Sequence, residues 1–139
     1  MNAVRLTARL LLAWVFVRNG LDVLRNPEPR VASAGWLLEI MRGLAPFLPA
    51  DDRLLVRVNA AVQVGAGGLL ALGQYRQPAA LILFASMVPT TLGGHAFWRH
   101  DDPTQRSQQR IHFDKNLAIL GGLLAVVLDM PRRRRRAWR

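Results

Sequence analysis

Four long apolar runs, separated by short clusters of proline, glycine and charge, dominate the chain and predict helices of membrane-crossing length. The first covers about residues 4–24, close to the roughly 20 residues a bilayer crossing needs, although only residues 10–17 are free of polar side chains. Arg9 can snorkel its guanidinium to the headgroups, and Arg18 with Asp22 at i, i+4 predicts an ion pair on one face. Asn26-Pro27-Glu28-Pro29 breaks that helix. Residues 34–48 then place Trp36, Leu37, Ile40, Met41, Leu44, Phe47 and Leu48 on one side and Ser33, Glu39, Arg42 and Gly43 on the other. Ended by Pro46 and Pro49, this stretch predicts an interfacial or re-entrant amphipathic helix, or a lid over the bundle, rather than a crossing.

The second span runs over about 54–73 behind Asp51-Asp52, a good helix N-terminus. It carries Asn59 and Gln63 at i, i+4, and Ala61, Gly65 and Gly68 form a strip of small residues that predicts close approach of a neighbouring helix. The connection Gln74-Tyr75-Arg76-Gln77 is so short that the third span, about 78–98, must be its antiparallel neighbour. That span holds Pro89, a predicted kink, with Ser86, Thr90 and Gly94 at successive i+4 positions and Thr91 paired with His95. Asp102-Pro103-Thr104-Gln105 reads as the start of a fourth helix, whose crossing covers about 111–130.

Charge and composition fit this outline. A net charge of +10 beside 51% hydrophobic residues is unusual for a small soluble domain, but is ordinary when the charges lie outside a bilayer. Five of the arginines, Arg132, Arg133, Arg134, Arg135 and Arg136, directly follow the last span. There they predict a stop-transfer and lipid-headgroup anchor rather than a nucleic-acid patch, and they place that end of the chain in the cytoplasm. Four crossings put the N-terminus on the same side. Arg5 and Arg9, the apolar stretch 10–17 and Ala32-Ser33-Ala34 outline a secretory signal. The small-residue triplet lies too far past the apolar core, with Arg18, Asp22, Arg25 and Arg30 between, so a retained first span is expected.

The expectation is therefore all-α: one four-helix transmembrane domain over residues 1–131, with an additional interfacial helix at about 34–48 and an Arg-rich cytoplasmic tail at 132–139. Alternation of the spans brings four polar ends to one side. They supply Arg18, Asn19 and Asp22, then Asn59 and Gln63, then Thr90, Thr91 and His95, then His112, Lys115 and Asn116. Such segregation in the outer half of a bundle predicts a pocket for a quinone headgroup or another small polar ligand. A histidine there could relay a proton, and Lys115 or Arg18 could hold negative charge. The same side chains also serve as glue between membrane helices, which keeps open a non-enzymatic scaffold or small-solute carrier. The absence of cysteine excludes a disulfide, a CxxC redox pair and a thiolate zinc site. No HExxH or HxH spacing supports a metal, and no phosphate loop, nucleophile elbow or catalytic carboxylate pair assigns a catalytic residue.

At these residues the chain resembles the DoxX family of small bacterial membrane proteins, particularly its actinobacterial branch. The resemblance rests on Arg9-Leu10-Leu11-Leu12 through Phe16 and Gly20, on Asn59-Ala60-Ala61-Val62-Gln63-Val64-Gly65, and on Pro89-Thr90-Thr91 with Gly94-His95-Ala96-Phe97-Trp98. It continues through His112-Phe113, Lys115-Asn116-Leu117 and Gly121-Gly122-Leu123-Leu124. One departure is Arg18-Asn19-Gly20-Leu21-Asp22, where relatives often carry a histidine before the glycine and a lysine after it. The resemblance implies a four-helix protein of the bacterial cell membrane, linked to quinone-coupled oxidation of sulfur compounds and to thiol and oxidative-stress systems. A menaquinone-like quinone and peripheral oxidoreductase partners are therefore the expected cofactor and partners, and the resemblance carries over no catalytic residue.

Overall fold

The computed structural model describes residues 3–129, and the described residues form five α-helices and one short 3-10 turn, with no strand among them. The helices are α1 (Ala3–Arg25), α2 (Glu28–Leu44), α3 (Asp52–Leu72), α4 (Arg76–Gly94) and α5 (Pro103–Leu128), with the turn at Phe97–Arg99. The Arg-rich tail expected at 132–139, its proposed anchor residues and Pro131 lie outside the described residues.

Local signals explain most boundaries. Asp51 caps α3 by accepting from the Leu54 amide at 3.2 Å, and Asp102 caps α5 by accepting from the Gln105 amide at 2.8 Å. Gly73 ends α3 with φ +74, a conformation in which glycine avoids the Cβ clash, and Tyr75 at φ 47 completes the tight connection into α4. The expected break at residues 26–27 is present, but α2 begins at Glu28 rather than at 34, because Pro29 sits in its first turn, where proline's missing N–H costs nothing.

Three helical segments are long and apolar enough to cross a membrane: Asp52–Leu72, Arg76–Arg99 and Pro103–Leu128. With 23 residues α1 has the length of a crossing, but its charged and amide side chains interrupt the apolar run. α1 packs along α3, α3 along α4, α4 along α5, and α2 lies across α3 and α4. The buried core joins Ala13 and Phe16 of α1, Ala66 and Leu70 of α3, Ala79, Ala80, Leu83 and Met87 of α4, and Leu120 and Leu123 of α5.

Two expectations are corrected. The close approach to α3 does not use the strip Ala61, Gly65 and Gly68: Ala61 is exposed, and a Cβ on Gly65 or Gly68 would meet nothing within 4 Å. α1 lies on another face, where a Cβ on Gly67 would come 3.0 Å from Val17 Cγ2, and one on Gly20 would come 2.7 Å from Val64 Cγ2 and 2.9 Å from the Ala60 carbonyl oxygen. The single apolar stripe expected on α2 is divided as well. Leu38 is buried and Leu37 and Met41 partly so, whereas Ile40, Leu44 and Phe47 are exposed, because α2 is covered on one side alone.

Gly20→Leu should overpack the α1–α3 contact and destabilise the protein by about 1–3 kcal/mol, read as a lower melting temperature in detergent. Gly65→Ala should leave that temperature unchanged or raise it slightly, since it adds helix propensity in open space.

Candidate functional site

Ser86 and Thr90, one turn apart on α4, face Asn59 and Gln63, one turn apart on α3. The Thr90 hydroxyl accepts from Asn59 Nδ2 at 2.9 Å and from Gln63 Nε2 at 3.1 Å, and donates to the Ser86 carbonyl at 3.0 Å. Ser86 Oγ donates to Asn59 Oδ1 at 2.9 Å. One hydroxyl donor and two acceptor positions are thus all used. Thr91 turns the other way: it is buried and accepts from Asn116 Nδ2 at 3.1 Å, which ties α4 to α5. One turn further His95, just past the end of α4, pairs through Nδ1 with Gln109 Oε1 at 2.8 Å. Its ring stacks on His112 with centroids 5.1 Å apart and planes inclined by 20°.

These contacts wall a cavity of about 480 Å³ at the histidine end of the bundle. Its polar lining comes from every helix: Asn19 of α1, Arg30 and Ser33 of α2, Asn59 and Gln63 of α3, Thr90 of α4 with His95 beyond it, and His112, Lys115 and Asn116 of α5. The remaining wall is apolar, including Val15, Phe16, Leu37, Leu38, Met41, Leu55, Met87 and Ile119. Among the lining residues, Asn19, His112 and Lys115 alone are exposed, which places the mouth between α1 and α5. Those two helices meet instead near their opposite ends, where Leu12 lies against Gly122 and Arg5 pairs with Asp129 at 3.5 Å.

α2 roofs the cavity. A Cβ on Gly93 would stand 3.2 Å from both Ala34 Cβ and Leu37 Cδ2, and one on Gly94 would stand 2.9 Å from Arg30 Nη1, so the glycine pair is the bed on which α2 rests. α2 thus covers the cavity, the position expected of a lid. Burial draws the Arg30 guanidinium below its ordinary value, yet leaves it charged at neutral pH.

The structure thus brings together Asn59, Gln63, Thr90, His95, His112, Lys115 and Asn116, seven of the ten residues expected at the site. Thr91 supports the wall without lining it, and Arg18 and Asp22 are exposed on α1. Asp22 pairs with Arg25 at 3.9 Å rather than with Arg18, because exposed side chains choose among neighbours of similar, small energy. Asn19, expected at the polar end of the first span, does line the cavity, and the residues missed are Arg30, Ser33 and Gln109. Arg30 had a signal: with Ala34, Leu37 and Met41 it forms a row at helical spacing, visible once the helix is begun at Glu28. Among the described residues, no three His, Cys, Asp or Glu side chains cluster as metal ligands would.

A family model described as DoxX matches residues 4–96. No curated protein and no solved structure matches the chain.

Thr90→Val should strand the amide groups of Asn59 and Gln63 and destabilise the protein by about 1–3 kcal/mol. A double-mutant cycle with Asn59→Ala should give a coupling of at least about 0.5 kcal/mol, measured by chemical or thermal unfolding in detergent.

Proposed function

The chain belongs to the DoxX family of membrane proteins, and from that premise we propose that it binds a small amphipathic ligand, of the class of quinone headgroups, as the membrane subunit of a quinone- or thiol-linked oxidoreductase system. The observation that carries the reading is the cavity: it is large enough for a bicyclic headgroup, apolar over most of its wall, and lined by N–H donors from α1, α2, α3 and α5. Carbonyl oxygens accept hydrogen bonds and donate none, so a wall of guanidinium, ammonium, amide and imidazole groups suits them. A bound quinone would supply the two-electron chemistry that a chain without cysteine lacks.

The chain's own part in this reading is binding and proton handling. Paired to Gln109 Oε1, His95 Nδ1 carries the hydrogen, and the neutral ring keeps Nε2 as an acceptor able to take up a proton. The stacked His112 stands exposed at the mouth, so the two imidazoles make a short path from solvent to the cavity. Lys115 and Arg30 orient the acceptor end of the ligand.

In the membrane, α1 joins the three apolar helices as a fourth crossing, with Arg9 buried against Gly73 instead of facing lipid. The cluster Arg132 to Arg136 sets both termini in the cytoplasm of the bacterial cell and the cavity toward the outer leaflet. The hydrogen-bonded set of Asn59, Gln63, Ser86 and Thr90 favours a second reading for those four residues alone, a scaffold in which they hold helices together.

Mass spectrometry of organic extracts from the detergent-purified protein tests the proposal. A quinone should be enriched in the wild type and depleted at least about tenfold in a folded His95→Ala, His112→Ala variant, the effect of losing roughly 1.4 kcal/mol of binding. If neither protein retains a quinone, and added quinones leave the melting temperature unchanged, the scaffold or carrier reading replaces it.

A further inference from the structure

The cavity holds two cations and no acid. Arg30 and Lys115 line it, and no Asp or Glu does. Asp22 and Asp114, close to lining residues in sequence, stand outside the wall, Asp22 engaged with Arg25. The other ion pairs among the described residues join Arg5 to Asp129, Arg42 to Asp52 and Arg53 to Glu28, and none uses Arg30 or Lys115. Neither of those side chains donates a hydrogen bond to a protein atom among the described residues, although each is rich in N–H donors.

The compensation at Arg30 is partial. Its tip lies against Gly94 at the carbonyl end of α4, where the helix dipole supplies about half a negative charge. A guanidinium lining a cavity whose wall also includes Leu37, Leu38 and Met41 still lacks a full counter-charge, and a cation drawn into low dielectric without one is costly to hold. Gly94 allows the guanidinium to lie there, so its place under the roof is built into two helices.

We propose that the cavity selects ligands whose polar end is anionic, with Arg30 on the roof reading that charge and Lys115 attracting it at the mouth. This rests on the reading of the cavity as a ligand site and narrows the ligand class to an ionised oxygen, enolate or carboxylate, on an apolar frame. The fork of N–H groups on a guanidinium fits two oxygens at once, and the pairing is stronger under the roof, where Arg30 is partly buried, than it would be in bulk water. The apolar frame lies along Phe16, Leu38 and Met87 and reaches the cavity between α1 and α5.

Two probe pairs matched in frame and differing in charge test this on the full chain in uncharged detergent. They are 2-hydroxy-1,4-naphthoquinone, ionised at neutral pH, against 2-methyl-1,4-naphthoquinone, and decanoate against decanol. Affinities are read by calorimetry or by the concentration dependence of the melting temperature. The anion of at least one pair should bind about tenfold or more tighter, the scale of a hydrogen bond to a charged group. A preference confined to one pair supports the proposal and identifies the frame as ring or chain. Arg30→Gln should reduce the preference to under about threefold and Arg30→Lys should restore part of it. Lys115→Gln, at an exposed position that does not threaten folding, should lower it about twofold. Equal binding within both pairs, or an unchanged preference in Arg30→Gln, overturns the charge selectivity while the ligand site stands. If no probe binds, the ligand site falls with it.

Discussion

The Thr90 hydroxyl, filled at all three of its hydrogen-bonding positions, holds the histidine end of the bundle in register. An unpaired polar group in an apolar interior costs about 1–3 kcal/mol, so Asn59 and Gln63 on α3 are tolerated only where α4 offers them an acceptor. That requirement fixes which faces of α3 and α4 meet. Once Thr90 faces α3, the next residue must point about 100° away, and Thr91 meets Asn116 on α5. A turn later His95 reaches Gln109 and His112. Three helices are thus aligned by a run of six residues, and the space left between them and α1 becomes the cavity.

Glycine positions decide how closely the other helices approach. At Gly20 and Gly67 the backbones of α1 and α3 come so near that a methyl group would intrude. At Gly93 and Gly94 the end of α4 is bare enough to receive α2 as a roof and to let the Arg30 guanidinium approach it closely. α5 instead meets α1 through Gly122 and the Arg5–Asp129 pair at the end away from the histidines, which leaves the mouth open at Asn19, His112 and Lys115.

The distribution of charge follows from this geometry. Two acids pair with arginines outside the cavity wall, Glu28 with Arg53 and Asp52 with Arg42, while the cations of the cavity keep no acidic partner among the described residues. A protein built only to hold its helices together would gain by neutralising or filling such a space. Aromatic side chains cluster near the same end, Phe97, Trp98 and Phe113 edge to face and Trp36 beneath Arg99, a belt of the kind that suits a membrane interface.

Run length and periodicity alone determine the helices α3, α4 and α5 and their caps, because a hydrophobic span of about 20 residues ended by glycine, proline or aspartate has few alternatives. The i, i+4 spacing of Asn59 with Gln63 and of Ser86 with Thr90 likewise announced two polar faces, and the chain order brought seven of the expected site residues together. What the tertiary structure decided is which faces meet. Periodicity says that residues share a side of a helix but not what that side packs against. It therefore offered Gly65 and Gly68 as the contact strip where Gly67 serves, and gave Arg18 to Asp22 where Arg25 takes it. The same limit hid Arg30: its role exists because α2, read from the sequence as either interfacial or a lid, lies across the glycine pair of α4, a contact between residues some 60 apart in the chain that no local pattern records.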